Sequence, residues 1–289
     1  MPTDVPDAPK EDWAQRGQVA TEALEQTWGS LAEVCHALVS QEWALPTECP
    51  GWDVKDQLSH LIGIERLLMG EEAPTWDGPM GDHVKNDFAA MNEPWICVRR
   101  PFPGDDILAE FEAVIAARLA ALRALSDDDW AQIGWSPVGE VPHARFMETR
   151  VFDSWVHEQD VRLALDRPGG TGNLASDWGI GQVQSALGMI IGKKVRPPDG
   201  TVVRFDVSGD PGDARIISIE VEGGRAKPVP MSQTAHVEPT VTIAVSSIDF
   251  VRLGCGRANA AAIAAAGGVK VEGDADLGQR ILENMNFMF

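Results

Sequence analysis

The chain has 289 residues and a formal net charge of −20, with 24 Lys and Arg against 44 Asp and Glu, and 44% of it is hydrophobic. That length allows one large domain or two ordinary ones with real cores. The acidic balance excludes a general nucleic-acid backbone binder and makes an anionic membrane surface a poor partner. The charge is lopsided: residues 1–165 hold 12 basic and 30 acidic residues and nine of the ten Trp, whereas residues 166–289 hold 12 and 14. This asymmetry argues for two domains.

In chain order, Met1–Lys10 carries three Pro and two Asp and no apolar core, which reads against a secretory signal. Apolar spacing predicts a first helix over Asp12–Leu38 and a second over Trp52–Met69, with Asp53 at its N-cap or first turn. After the Pro- and Gly-rich loop Ala73–Gly81 comes a short polar helix, His83–Glu93. A long helix follows over Ile107–Leu125, then a charged turn at Asp127–Asp129, then a fourth long helix over His143–Leu165 that Pro168–Gly170 terminates. Four long helices joined by loops describe a four-helix bundle. Ser176–Ile191 is one more helix, after which the period changes to two. Val202–Val207 and Ile216–Val221 flank the turn Gly209–Asp213 as a hairpin, and Thr240–Val245 is a third strand. Ile248–Cys255 and Ala258–Ala266 read as helices, Val269–Glu272 as a short strand and Leu277–Met285 as a terminal helix. The fold class is multidomain: a helical bundle over residues 10–168, then a small α+β domain over residues 172–289 with helices on one side of its sheet. No apolar run approaches the length of a membrane span. Cys35, Cys49, Cys97 and Cys255 form no Cys-x-x-Cys pair and read as reduced, mostly buried thiols of a cytoplasmic protein.

Two predicted helices carry His and acids at helical spacing. Asp56 precedes His60 by one turn, and Asp153 precedes His157 by one turn, with Asp160 a turn beyond. His60, Asp153 and His157 could supply two imidazoles and a carboxylate to a metal between facing helices, a set that suits catalytic zinc and also iron. The plainer alternative is a surface Asp–His pair, with Glu158 and Asp160 ordinary exposed acids. A closed structural site would recruit a fourth ligand, from His36, His83 or His143. Trp52 and Trp155 could line a pocket beside the site or simply fill core. Arg99 and Arg100 could receive a carboxylate, or pair with neighbouring acids. Cys97 has no His close in sequence, which reads against a nucleophile. Arg257, after Gly254-Cys-Gly, could reach an anion in an interdomain cleft or cap a carbonyl.

The segment Cys49-Pro-Gly-Trp-Asp-Val-Lys-Asp-Gln-Leu-Ser-His60-Leu resembles the first metal segment of the mycothiol-dependent maleylpyruvate isomerase family, one of the DinB-like metal-binding bundles. Phe152-Asp-Ser-Trp-Val-His-Glu-Gln-Asp-Val-Arg162 resembles its second. The stretch from Val241 through Leu253-Gly-Cys-Gly-Arg257 to Gly273-Asp-Ala-Asp-Leu-Gly-Gln-Arg280 resembles the sterol-carrier-like domain attached in that family. The resemblance implies a divalent metal, zinc first, on His60, Asp153 and His157. It implies mycothiol as thiol cofactor or cosubstrate, and transferase or isomerase action on a small electrophile. The family's acid at position 153 is Glu; Asp153 is one methylene shorter, so a metal must sit closer to that backbone or be bridged by water. By the same resemblance Arg257 is the basic residue that the second domain brings to the cleft. Arg99, Arg100, Trp52 and Trp155 are then candidates to contact the cofactor, and Asp56 and Asp160 to orient imidazoles. Two rivals stay open, a metal-dependent hydrolase that needs no thiol and a non-catalytic binder of an apolar ligand. So do a monomeric and a homodimeric state.

Overall fold

The first helix begins where the chain supplies a cap. Asp12 accepts a hydrogen bond from the Gln15 backbone N–H and opens α1 (Trp13–His36). A reciprocal capping box of Asp53 and Asp56 opens α2 (Val54–Leu68). Asn86 caps α3 (Asp87–Cys97), so this helix starts later and runs further than the polar pattern predicts. Helix α4 spans Gly104–Arg123. The predicted charged turn is a short helix, α5 (Asp127–Ala131), because Ser126 and Asp129 form another capping box and the acids favour its positive end. A two-stranded hairpin, β1 (Ile133–Ser136) and β2 (Gly139–Pro142), precedes α6 (His143–Ala164). The structure, a computed structural model, describes residues 11–137, 139–234 and 236–288. Met1–Lys10, read above against a signal segment, lies outside the described residues.

Helix α1 lies against α4 and α6, and α2 lies against the same two, which closes the expected four-helix bundle. Leu24, Trp28, Leu31, Leu58, Leu61, Ile62, Phe111 and Val151 are fully buried in its core. Each such side chain contributes about 1.5–3 kcal/mol of transfer free energy. The Trp28 indole N–H donates to Ser154 Oγ at 3.0 Å, so its polar atom is not stranded. Helix α6 is unusual in being buried on nearly every side while carrying Glu148, Arg150, His157, Glu158 and Asp160. Such a helix is tolerable only if its charges are paired.

The second part begins with α7 (Leu174–Met189) and a π turn, Ile190–Val195. Strands β3 (Val202–Ser208), β4 (Arg215–Glu222) and β5 (Arg225–Pro228) follow, then the one-turn α8 (Met231–Thr234). Strand β6 (Val241–Ser246), α9 (Ser247–Gly254), α10 (Ala260–Ala265), β7 (Val269–Gly273) and α11 (Ala275–Glu283) complete the chain. The sheet order is β5-β4-β3-β6-β7, antiparallel except for the parallel pair β3–β6. Phe205 faces Ile217 on one side and Ile243 on the other, in register. These positions and their period-two neighbours Val203, Ile219 and Val241 are buried beneath α7, α9 and α11. The buried turn residue Asp213 holds the start of α7, accepting from Gly172 N at 2.9 Å and Ser176 Oγ at 2.6 Å.

Helix α7 also packs on α6 and α1, so it joins the sheet domain to the bundle. Its Gly179 lies directly on Trp155, and a Cβ there would sit 2.5 Å from the indole ring. Gly179→Ala is therefore expected to lower stability by about 1–3 kcal/mol through overpacking. Denaturant melts of the two proteins check this; an unchanged midpoint would mean the seam is loose.

Candidate metal centre

Helices α2 and α6 bring His60, Asp153 and His157 together. One potential ligand atom of each lies within 4.8 Å of the others. Both imidazoles turn Nε2 to the same carboxylate, His60 at 3.3 Å from Oδ2 and His157 at 3.6 Å from Oδ1. Both histidines are buried, and their ring centroids are 4.6 Å apart. The opposite nitrogen of His157 is occupied: Nδ1 lies 2.6 Å from Gln57 Oε1 and 3.2 Å from Asp160 Oδ2. An N–H donated there leaves the Nε2 lone pair free for a ligand, the tautomer a metal requires. His60 Nδ1 is buried with no partner. No fourth His, Cys, Asp or Glu among the described residues joins the group. His83 is bound to Glu93, His36 to Glu112, and His143 lies against Trp130. Three protein donors with one position left open is the arrangement of catalytic rather than structural zinc.

The electrostatics favour an ionised Asp153 and a neutral His60 but draw His157 toward its protonated form. Burial alone would raise the Asp153 carboxyl, but Arg150 and the two imidazoles outweigh it and keep it well below the ordinary range. Arg150 Nη1 lies 2.5 Å from Asp153 Oδ2, while its Nε donates to Glu65 at 2.9 Å. Glu65 also receives Arg118 at 3.0 Å. Burial pushes His60 down to about 4. Burial also acts to lower His157, but Asp153 and Asp160 overcome it and raise the group.

The sequence-derived candidates do not all meet here. Trp52 does: its ring centroid is 5.0 Å from that of His60 and 5.7 Å from that of His157. It is fixed by an N–H···O bond of 3.2 Å to buried Glu93, which His83 also contacts at 2.9 Å. Trp155 does not reach the centre from its place in the core; its N–H donates to Gly170 O at 2.7 Å. Arg99 is buried in a two-pronged pair with Glu110 at 2.9 and 2.6 Å, and Arg100 pairs with Asp56 and Glu93. Neither borders the cavity described below, because acids of the bundle itself have taken both charges. Asp56 is spent on its capping box and Arg100, so Gln57, rather than Asp56, accompanies Asp160 at an imidazole. Glu158 and Asp160 are buried, not ordinary surface acids: Glu158 meets Ser30 and Arg162, and Asp160 meets His157 and Arg257. Gln57, Arg150 and Glu93 were missed by sequence reasoning. Only the one-turn spacing of Arg150 before Asp153 offered a signal.

Arg257 crosses from the second domain. Gly256, at φ +68°, permits the turn after α9 that delivers it. In the structure it pairs with Asp160, at 2.9 Å. A second cross-domain clamp joins Arg252 to Glu48. Between the domains lies a cavity of about 330 Å³, bordered by His60, Asp153, His157, Trp52, His83, Asn92 and Arg257. Cys49 and Cys255 also border it, with thiols pushed up to about 12 by burial, so neither offers a thiolate. All four cysteines are free and buried. No helix among the described residues is long and apolar enough to cross a membrane.

Fold and site together define a class: a four-helix bundle with an open His–Asp–His group at its seam with a sheet-containing domain. Residues 24–162 match the family model described as the mycothiol maleylpyruvate isomerase N-terminal domain, and residues 191–284 match the SCP-2 sterol transfer family. The bundle thus belongs to the mycothiol maleylpyruvate isomerase N-terminal domain family, and the sheet-containing part to the SCP-2 sterol transfer family. Among solved structures it is similar to the mycothiol-dependent maleylpyruvate isomerase, at 16% identity and a TM-score of 0.51. A mutant of that enzyme matches at 17% and 0.50, and each comparison covers 89% of this chain and 92% of the other. At such identities the likeness is one of fold. No curated protein matches the chain significantly in sequence.

Proposed function

We propose that the chain is a metal-dependent enzyme that uses a low-molecular-weight thiol, mycothiol, against a small electrophile, as an isomerase or S-transferase. The observation that carries this reading is the convergence of His60, Asp153 and His157 on a cavity between two domains, with no fourth protein donor among the described residues. A divalent metal held by these three, zinc first among candidates, supplies a Lewis acid that lowers the pKa of a bound thiol. Asp160 and Gln57 hold the tautomer and the angle of His157. Arg150 keeps Asp153 ionised. Trp52 lies over both imidazoles and excludes water from that side. Arg257 joins the second domain to Asp160 and so couples domain closure to the orientation of His157; it acts as a positioning residue. The reading places the protein in the cytoplasm, where thiols stay reduced.

A metal-dependent hydrolase would use the same three donors without a thiol. The two separate in one assay: consumption of activated alkenes and aryl halides by metal-loaded protein, with and without mycothiol. Turnover is expected only with the thiol, rising to saturation, and lost on chelation. Equal rates without thiol would favour the hydrolase.

A further inference from the structure

Residues 69–86 join α2 to α3 without forming a helix or strand, and none of residues 71–85 is buried. A connection of that length is uncommon in a compact domain, and lids over active sites are among its usual uses. Its own hydrogen bonds turn inward: Trp76 N–H to Pro79 O, and Val84 N–H to Gly81 O. Among the described residues, the hydrogen bond that ties residues 72–85 to the rest of the protein joins His83 Nε2 to Glu93 Oε2, at 2.9 Å. The imidazole has a built seat there. A Cβ at Gly51, whose φ is +81°, would lie 2.2 Å from His83 Nδ1, and one at Gly81 would lie 2.6 Å from it, so two glycines make room for the ring. Burial would raise the Glu93 carboxyl, but His83, Trp52 and Arg100 outweigh it, so an ionised carboxylate receives the Nε2–H. Glu93 keeps two other donors, Trp52 Nε1 at 3.2 Å and Arg100 Nη2 at 3.1 Å. Release of His83 therefore strands no buried charge and leaves Trp52 in place over His60 and His157. His83 borders the cavity between the domains, as do Asn86 at the end of its own segment and Cys49 and Trp52 on either side of Gly51.

We infer that residues 72–85 are a lid on this cavity, that the bond from His83 to Glu93 is its latch, and that the thiol enters where the latch opens. The lid and latch stand on the geometry; the identity of what enters rests on the thiol-dependent reading above. His83 is a positioning residue, since it holds a wall of the site rather than a reacting atom. With no buried side chain in the lid, opening costs little beyond this one bond to a charged acceptor, and it proceeds without unfolding α3.

The test uses the full chain and N-ethylmaleimide, an uncharged probe, with the labelling rate of each cysteine read by peptide mass spectrometry. Cys49 borders the cavity and is 8% exposed, whereas Cys35 is 2% exposed in the bundle core and reports unfolding. His83→Leu keeps the bulk of the ring without its N–H and should speed Cys49 at least about tenfold, with Cys35 unchanged. His83→Gln retains an N–H for Glu93 and should stay within about threefold of wild type. Equal Cys49 rates in wild type and His83→Leu would show that entry is by parting of the domains, and would overturn the inference. So would a His83→Gln as fast as His83→Leu. If His83→Leu speeds Cys35 as well, the bundle itself has loosened. Gly81→Val then decides, because it unseats the ring from an exposed position; it must speed Cys49 alone, or the inference fails. Metal equivalents and mycothiol binding, by calorimetry, are read on the same proteins. Metal and thiol uptake with labelling that no variant changes sinks the lid alone. A latch effect in a protein that takes up neither metal nor thiol sinks the proposed function and leaves the lid in place.

Discussion

Purified wild-type protein is expected to hold about one equivalent of divalent metal per chain, and His157→Ala to lose it while keeping its helical content. His157 is a donor whose Nδ1 is held by Gln57 and Asp160, so its Nε2 is committed to the shared carboxylate and whatever joins it. Removing the imidazole leaves two donors, too few for a retained ion. Gln57→Ala and Asp160→Asn keep all three donors and should weaken metal about 10–100-fold. Acid should act in the same direction as these changes. His157 is raised by Asp153 and Asp160, so its proton competes with metal from higher pH than an ordinary imidazole proton would, and affinity falls as pH drops through that range. Elemental analysis of untagged protein, with competition by a chelator of known affinity across pH, reads each effect. Wild type without metal after zinc is supplied under reducing conditions would end the catalytic reading.

Glu65→Gln is expected to cost about 3–5 kcal/mol of stability, the range for breaking a buried charge pair by removing one partner. Glu65 is fully buried between two guanidinium groups, Arg118 Nε at 3.0 Å and Arg150 Nε at 2.9 Å. The Gln amide keeps one acceptor oxygen but loses the charge and turns its NH2 toward the other guanidinium; Arg150 would retain Asp153, whereas Arg118 has, besides residue 65, the Met147 sulfur at 3.4 Å as its hydrogen-bond partner among the described residues. The double variant Glu65→Gln with Arg118→Met should recover much of the loss, because an apolar side chain of similar volume replaces the stranded charge. A second consequence reaches the site. Arg150, left with Asp153 alone, competes more strongly with metal for that carboxylate, so metal affinity falls in Glu65→Gln as well. Denaturant midpoints and metal titration check both; a loss below about 1 kcal/mol would show that water reaches Arg118.

The long helices were legible because each pairs a 3.6-residue apolar rhythm with a cap in sequence, as Asp12 and Asp53 show. The one-faced sheet was legible at β3, β4 and β6, where every second residue is buried. The hairpin β1–β2 was not: its strands are four residues long, and Ile133 and Trp135 point to solvent, so there is no inward alternation to read. The edge strand β5, Arg225–Pro228, carries a polar sequence that reads as loop.

The same division runs through the site. Asp153 and His157 lie one helical turn apart, so they could be placed together from sequence alone, and the resemblance of two segments to the family's two metal segments placed His60 beside them. Burial and partner choice between helices are decided only when the bundle closes. Gln57 reaches His157 across 100 residues of chain and Arg257 reaches Asp160 across 97, separations that no local period encodes. The fates of Arg99 and Arg100 were settled likewise: a surplus of acids lay within reach, and as the bundle closed buried Arg99 paired with Glu110 and the part-exposed Arg100 with Asp56. Sequence thus determined which chemistry the chain can carry. Tertiary packing decided which charges remain free to use it, because pairing energies depend on distance and burial, and neither is a property of the linear chain.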